Sequence, residues 1–207
     1  AGEGYAFDGK LGYWTAGPTN GGTGMRASAM LHLPALGMTG QIRNITDSVN
    51  KFGCTIRGYY GEGSNAEGDM YQISNQITLG ISEDEILISL LQVLRAVMDK
   101  ERQLRDGLLK SDRGELTDKL YRSLGILKYA RRLSTTEMMQ RLSDIRLGVS
   151  LNLFDGIHYS DIESLATSMQ PASLAASLEK TSRPANDQDR DKARAKAVRI
   201  ALKDCHY

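Results

Sequence analysis

The stretch Thr15-Ala-Gly-Pro-Thr-Asn-Gly-Gly-Thr-Gly-Met-Arg-Ala-Ser28 decides how the rest of the chain is interpreted. Apolar runs flank it at 11–15 and 29–33, and each run predicts a β-strand. Glycines let the loop between them turn with positive φ and approach an anion closely. Arg26 follows the glycines and adds a forked cationic donor suited to phosphate. A hairpin loop with an exposed arginine fits the spacing equally well, because the loop matches neither GxGxxG nor the Walker A motif.

The composition limits the classes of protein to consider. The 207 residues carry a formal net charge of +1, which points to neither a strongly basic nor a strongly acidic partner. Two distant cysteines, Cys54 and Cys205, do not make a disulfide framework and favour a reducing, cytoplasmic setting. No apolar run approaches the roughly 20 residues of a membrane span, and no signal-peptide pattern opens the chain. We therefore expect a protein that does not associate with membranes.

The composition also changes along the chain, near residue 80. Residues 1–80 hold 16 of the 21 glycines and 11 charged residues, whereas residues 81–207 hold five glycines and 40 charged residues. Short apolar runs between glycines predict strands in the first part, and i, i+3, i+4 patterns predict helices in the second. Strands followed by helices indicate an α+β fold with two domains, 1–80 and 81–207.

The same patterns predict where individual elements lie. In the first part the predicted strands are 11–15, 29–33, 54–60 and 70–74, and the predicted helix runs from Pro34 to about Lys51. In the second part the predicted helices are 82–110, 112–129, 134–147, a short one from Ser160, 173–178 and 187–204. We expect the charge-rich run 99–105 in the first of these helices to be a solvated face.

A second polar glycine loop, 61–68, lies between two of the predicted strands. Its carboxylates Glu62 and Glu67 are candidates to orient or deprotonate a substrate, and solvated surface carboxylates are an equally good interpretation. Arg57, just before this loop, either reaches the same anion as Arg26 or is an ordinary strand residue. The histidines and cysteines show no ligand-like spacing, so no metal site is predicted.

A basic segment lies near the end of the chain, with seven Lys or Arg against three Asp between Arg183 and Lys203. Nucleic acid is a poor interpretation of this charge, because neither interleaved aromatic residues nor a recognition motif accompanies it. Arg190 and Arg194 are spaced i, i+4 and share a helix face. With Asp191 they make a small pocket for one phosphate and one cation. The alternative is an amphipathic helix with i, i+4 ion pairs.

Together these segments resemble the phosphagen (guanidino) kinase family, and within it the bacterial protein-arginine kinases. The resemblance covers essentially the whole chain. In the first part it is carried by Pro18-Thr-Asn20, Gly24-Met-Arg-Ala-Ser28, Leu31-His-Leu-Pro-Ala35, Thr39-Gly-Gln41, Arg57-Gly58, Gly61-Glu-Gly-Ser64, Tyr71-Gln-Ile-Ser-Asn-Gln76 and Leu79-Gly80. In the last predicted helix it is carried by Arg190-Asp-Lys-Ala-Arg-Ala195, which matches the RDxxRA motif of the protein-arginine kinases.

The resemblance implies an antiparallel sheet flanked by helices, as in the catalytic domains of glutamine synthetase and the guanidino kinases. It implies transfer of phosphate from ATP, with Mg²⁺ held through the nucleotide, to arginine in proteins. The nucleotide-binding residues it implies are Arg26, Ala27, Ser28, Ala29, Met30, Arg57, Gly58, Tyr59, Tyr60, Gly61 and Glu62. Glu62 also matches a carboxylate that holds or deprotonates the guanidinium. The phosphoarginine-binding residues it implies are Arg190, Asp191, Arg194 and Ala195.

The sequence departs from the family pattern at two catalytic positions. Gly17 stands where the family has a cysteine whose thiolate contacts the guanidinium, and Asn65 replaces a second loop carboxylate. The family's small N-terminal domain and its strand carrying NEEDHLR are not found in these 207 residues. We therefore expect an N-terminally incomplete, impaired protein-arginine kinase.

The expected partners follow from the same resemblance. They are arginine-containing or arginine-phosphorylated proteins, the machinery of a AAA+ protease, and either further copies of the chain or a kinase N-terminal part. The alternative function is a non-catalytic phosphoarginine-binding adaptor or regulatory subunit for targeted proteolysis in a bacterial stress response.

Overall fold

The computed structural model describes residues 4–17, 20–58, 66–111, 113–178 and 186–206. Its contacts divide the chain into two compact units, one up to Gly107 and one from Leu108 onward. The units divide inside a long helix, whereas the composition changes near residue 80. An antiparallel sheet with helices in the first unit, followed by helices in the second, confirms the predicted α+β class.

The described residues of the first unit form five strands. They are β1 (Phe7–Asp8), β2 (Gly12–Tyr13), β3 (Ser28–His32), β4 (Cys54–Gly58) and β5 (Met70–Asn75). β1 and β2 form a short hairpin, and the other three form an antiparallel sheet in the order β3-β5-β4. The strand predicted at 11–15 is only two residues long, and its last residue, Tyr13, also pairs with Gly22 of the glycine loop.

The helix predicted from Pro34 to Lys51 is wrong, because two helices form there. These are α1 (Pro34–Met38) and α2 (Ile42–Lys51). Gly40 has a φ of +67°, a left-handed conformation that suits glycine and interrupts a right-handed helix. The amide of Gln41 donates to the Leu36 carbonyl at 3.0 Å, which closes the first helix.

A long helix, α3 (Glu83–Ser111), follows the sheet. The predicted capping box at its start is present, because the Ser82 amide donates to the Glu85 carboxylate at 2.7 Å and the Glu85 amide donates to Ser82 Oγ at 3.3 Å. The hydrogen bonds from Ser82 hold the pKa of Glu85 below its usual value.

The apolar face of the three-stranded sheet packs with α1, α2 and α3 into one core. Its buried members are Leu33, Leu36, Val49, Cys54, Ile73, Leu90, Val93, Leu94 and Val97. Glu101 in the charge-rich run is 3% exposed, so the expectation of a solvated face is wrong at this residue. Its carboxylate accepts the amides of Ala35 at 3.0 Å and Leu36 at 2.9 Å, and Arg105 Nε donates to it at 2.7 Å. These bonds attach α3 to the start of α1.

The described part of the second unit contains the end of α3 and five further helices. They are α4 (Arg113–Tyr129), α5 (Thr135–Ser150), α6 (Tyr159–Ser168), α7 (Pro171–Leu178) and α8 (Asp187–Ala201). Their core includes Leu120, Leu127, Met138, Leu142, Ile145, Val198 and Leu202. The predicted capping residue Ser134 accepts the Glu137 amide at 3.1 Å. In the described residues we find no helix with both the length and the apolar character that crossing a membrane requires.

Candidate functional site

The register of the sheet gives it one polar face. Residues directly opposite each other in an antiparallel pair point to the same side, so Ser28 shares a face with Ser74 and Arg57 shares a face with Gln72. Because side chains alternate between the two faces along a strand, every second residue from these positions lies on the same face. The polar face consists of Ser28, Met30 and His32 from β3, Met70, Gln72 and Ser74 from β5, and Thr55 and Arg57 from β4. Ile73 and Cys54, one residue out of phase, point into the core instead.

Two arginines lie on the polar face, on either side of the central strand. Arg26 precedes β3 by two residues, is exposed, and its Nη2 donates to Ser74 Oγ at 3.2 Å. Arg57 is half-buried and stands opposite Gln72, whose Nε2 donates to Ser28 Oγ at 3.0 Å. The face therefore offers two guanidinium groups among neutral hydrogen-bonding side chains, which is a suitable lining for an anion with several phosphates.

The backbone of the glycine loop bonds to the β1-β2 hairpin and to the segment that follows β5. Gly22 pairs with Tyr13, and the amide of Thr23 donates to the carbonyl of Thr78 at 2.9 Å. A Cβ at position 22 would lie 2.2 Å from the Thr78 carbonyl oxygen, so only glycine fits this contact. The amide of Met25 donates to Thr23 Oγ1 at 3.3 Å. Because the amides of Thr23 and Met25 bond within the protein, they are not available to an anion, and Arg26 supplies the cationic side chain next to them.

Gly17 lies at a bend near the start of the glycine loop and is half-buried. Its carbonyl accepts the Thr15 hydroxyl at 2.6 Å and the Asn20 amide at 3.0 Å. The only thiol in the described part of the first unit is that of Cys54, which is 1% exposed in the core on the opposite face of the sheet. Burial raises the pKa of the Cys54 thiol. Cys54 therefore does not replace the cysteine that the resemblance expects at position 17.

The remaining residues of the predicted nucleotide site differ in exposure, and some of them lie outside the described residues. Ser28 and Met30 are exposed, whereas Ala27 and Ala29 pack against the core and offer only their backbone. Gly58 is the last residue of β4. The predicted residues Tyr59, Tyr60, Gly61, Glu62 and Asn65 lie outside the described residues.

The predicted phosphoarginine residues lie together on α8, with unequal exposure. Arg194 is 2% exposed, and it donates to the carbonyls of Met169 at 3.1 Å and Leu133 at 2.6 Å. Its Nη1 also pairs with the Asp191 carboxylate at 2.8 Å. Ala195 is fully buried. The Arg190 side chain is 26% exposed and pairs with Asp187. Arg190 and Asp191 therefore reach the surface, while Arg194 is enclosed behind them.

Sequence reasoning missed the neutral side chains of the polar face. Thr55, Gln72 and Ser74 line it, and each alternates with an apolar residue in its strand. Alternation in Cys54–Gly58 and Met70–Asn75 was a usable signal that these residues share a face. The pairing register, which places them beside the two arginines, was not readable from the sequence.

Comparison with known proteins gives concordant matches. Residues 4–104 match the family described as ATP:guanido phosphotransferase, C-terminal catalytic domain, and residues 113–207 match the protein-arginine kinase McsB C-terminal domain. The protein-arginine kinase of Clostridium kluyveri is 46% identical over 198 residues, which are 96% of this chain and 56% of that protein. The protein-arginine kinase of Brevibacillus brevis is 46% identical over 199 residues, 96% of this chain and 55% of that protein. Among solved structures, a crystal structure of lombricine kinase aligns with a TM-score of 0.45 and 35% identity, covering 50% of this chain and 28% of that one. The chain spans about half the length of the curated relatives it matches.

Proposed function

Since the chain belongs to the ATP:guanido phosphotransferase family, in its protein-arginine kinase branch, we propose that it takes part in moving the γ-phosphoryl group of ATP to arginine side chains of proteins. The observation that carries the proposal is the placement of Arg26 and Arg57 on one polar face of the sheet, flanking the central strand. Two permanently charged guanidinium groups on a rigid sheet suit the polyphosphate of a nucleotide.

The chemistry asks mainly for positioning and for neutralisation of charge. A nitrogen of the substrate guanidinium forms a bond to the γ-phosphorus while the bond from that phosphorus to the β,γ-bridging oxygen breaks, and ADP leaves with the electron pair. The substrate nitrogen gives up a proton, and Glu62 is the carboxylate we propose to accept it, on the family resemblance alone. Arg26 and Arg57 would stabilise the charge that develops on the phosphate oxygens.

Mg²⁺ is expected to arrive on the nucleotide. The strand residues that form the polar face are arginine, serine, threonine, glutamine, histidine and methionine, with no carboxylate among those described. This set suits phosphate oxygens and gives a hard divalent cation no anionic ligand. Mg²⁺ would supply further neutralisation of the phosphates when it is bound with ATP.

The glycine at position 17 leads us to propose a reduced rate of phosphoryl transfer. The family's cysteine at this position places a thiolate against the substrate guanidinium, and glycine supplies no charge. We therefore propose slow transfer by this chain. Gly17→Cys is expected to raise the rate, because it would supply the thiolate that glycine lacks at this half-buried position of the glycine loop.

The second unit extends the proposal to product recognition. Arg190 and Asp191 reach the surface of α8, where a guanidinium can meet the phosphate and a carboxylate can meet the guanidino part of phosphoarginine. Partners on this proposal are arginine-phosphorylated proteins, a AAA+ protease that receives them, and a second copy of the chain or a kinase N-terminal part. A cytoplasmic location is supported by the use of ATP and by two free thiols.

A phosphotransfer assay tests the proposal. The chain is incubated with ATP–Mg²⁺ and an arginine-rich protein, alone and with the N-terminal part of a relative added, and acid-labile phosphoarginine is measured by mass spectrometry. Arg26→Ala should abolish transfer, and Arg43→Ala, which removes an exposed arginine from α2, should not. Absence of product in both arms, with wild-type chain that is folded, would refute the enzymatic proposal. The named relatives are kinases, which favours transfer over the adaptor alternative.

A further inference from the structure

We infer that Asn75 is a positioning residue for Arg26, because its side-chain amide holds the backbone on both sides of that arginine. The inference rests on the proposed function, in which Arg26 binds the phosphates of ATP. It concerns how the chain fixes that arginine before the nucleotide arrives.

The contacts of Asn75 surround Arg26 in the sequence. Asn75 is the last residue of β5 and is 6% exposed. Its Oδ1 accepts the amide of Ala27 at 2.8 Å, and its Nδ2 donates to the carbonyl of Met25 at 3.1 Å. Nδ2 also donates to the Ile77 carbonyl at 3.2 Å. A side-chain amide accepts and donates from adjacent atoms, which neither a carboxylate nor an aliphatic group does.

These bonds replace the regular ladder where β3 and β5 separate. The Asn75 amide donates to the Ala27 carbonyl at 3.2 Å, so the two residues face each other just beyond the paired Ser28 and Ser74. In a regular antiparallel pair the Ala27 amide would donate back to the Asn75 carbonyl. It donates to the Asn75 side chain instead, and the same side chain extends to Met25. The backbone of Arg26 is thereby fixed at both ends.

The consequence for Arg26 is preorganisation. Its side chain is exposed, and its guanidinium contacts Ser74, the residue before Asn75. A fixed backbone limits the volume that the guanidinium samples, so less conformational freedom is lost when it binds a phosphate. Removal of the Asn75 amide is expected to weaken ATP binding about 10-fold, although Asn75 itself touches no phosphate.

The test separates positioning from a general loss of structure. Amide hydrogen exchange is measured for wild type, Asn75→Ala and the matched control Gln76→Ala, which removes an exposed amide side chain from the next residue. ATP–Mg²⁺ affinity is measured by calorimetry for the same proteins, for Arg26→Ala and for the double variant. Asn75→Gln, which keeps the amide and adds one methylene, provides a second variant if Asn75→Ala does not fold.

The expected results are faster exchange at the Ala27 amide, unchanged exchange at Ile73 in the middle of β5, and about 10-fold weaker ATP binding in Asn75→Ala. In the Arg26→Ala background the Asn75 substitution should cause no further loss, because its effect passes through Arg26. In Asn75→Gln the Ala27 amide should also exchange faster than in wild type.

Two results would overturn the inference. One is unchanged exchange at Ala27 in the Asn75 variants, whatever the ATP affinity. The other is an equal loss of ATP affinity with and without Arg26, which would show that Asn75 acts by another route. A wild-type chain that binds no ATP, with exchange that rises only around Arg26, would instead refute the proposed function and support the attachment of Arg26 by Asn75.

Discussion

Arg26 in the first unit and Arg194 in the second were both predicted, from sequence motifs, to contact a phosphate, and the structure places them in opposite environments. Arg26 is exposed and makes a hydrogen bond to Ser74 Oγ. Arg194 is 2% exposed and bonds two backbone carbonyls and the Asp191 carboxylate. A motif therefore predicts where a guanidinium lies along an element, whereas its burial and partners decide whether it is available to a ligand.

The difference assigns separate tasks to the two arginines. Arg194 holds together α8, the residue before the α5 cap at Leu133, and the end of α6 at Met169. It also orients Asp191, which is 25% exposed at its side chain. Arg26 is exposed and donates to Ser74 Oγ, so its side chain contributes less to the structure than that of Arg194. In the second unit the more exposed arginine of the motif is Arg190, which pairs with Asp187.

The largest effect is expected on stability, from Arg194→Ala. Loss of the guanidinium leaves two carbonyls and a carboxylate without their donor and opens a cavity, so the free energy of unfolding should fall by about 2–4 kcal/mol. Denaturant unfolding measures this. Arg194→Lys should recover only part of the loss, because one ammonium group cannot reproduce the planar fork of donors. Wild-type stability in Arg194→Ala, together with lost phosphoarginine binding, would make Arg194 a ligand group and remove the contrast with Arg26.

The next effect is expected on binding, from Arg26→Ala. Loss of one charged contact to phosphate should weaken ATP–Mg²⁺ binding about 10- to 100-fold. The free energy of unfolding should change by no more than about 0.5 kcal/mol, because the side chain is exposed. Calorimetric titration and denaturant unfolding of the same preparation measure both quantities. The exposed Arg43 on α2 provides the control, and an equal loss of affinity in Arg43→Ala would point to a general charge effect.

Hydrophobic periodicity predicted most of the helices and strands, because each arises from a pattern among residues that are close together in the sequence. The failures have local physical causes that hydrophobic periodicity does not capture. The helix at 34–51 is interrupted by the left-handed Gly40, and the carboxylate of Glu101 is buried because it accepts amides at the start of a helix distant in sequence. The sequence of a charged run does not show whether its carboxylates are solvated or accept the free amides at the start of another helix.

Sequence motifs named the candidate arginines of the site but not their arrangement, and the roles of these arginines stay predictions. The motifs carried Arg26, Arg57 and Arg190, but the polar face depends on strand register, which a single sequence does not specify when the turns between strands are long. The burial of Arg194 was not predictable, since its main partners are the carbonyls of Leu133 and Met169. Every residue has a carbonyl, so the sequence carries no signal for that contact.

A smaller effect is expected from Arg190→Ala. Its side chain is 26% exposed and pairs with Asp187, so part of its charge is already neutralised. Affinity for a phosphoarginine peptide should fall about 10-fold, with a change in stability of no more than about 0.5 kcal/mol. Fluorescence titration with the phosphorylated and the unmodified peptide measures the specific part of this loss. Equal loss for both peptides would show that Arg190 contributes general charge and does not recognise the phosphate.

The smallest effect is expected on stability at alkaline pH, from ionisation of the two buried thiols, one in each unit. Burial raises the pKa of Cys54, and it also raises that of Cys205, although Lys128 partly offsets the rise there. The thiolate forms more readily in the unfolded chain, where the pKa of a cysteine thiol is about 8.5. Stability is therefore unaffected below that pH and falls as the pH rises from there through the raised pKa of the folded state.

Thiol labelling at pH 8 compares the two units, because each contains one buried cysteine. In the native protein both thiols should react slowly, through local opening, and Gly17→Cys should add one fast-reacting thiol as the positive control. Arg194→Ala should accelerate labelling of Cys205 and leave Cys54 unchanged, whereas Arg26→Ala should accelerate neither. Mass spectrometry of the labelled peptides distinguishes the sites. Acceleration of Cys54 by Arg26→Ala would show that Arg26, like Arg194, holds its unit together, and would contradict the separation of tasks argued above.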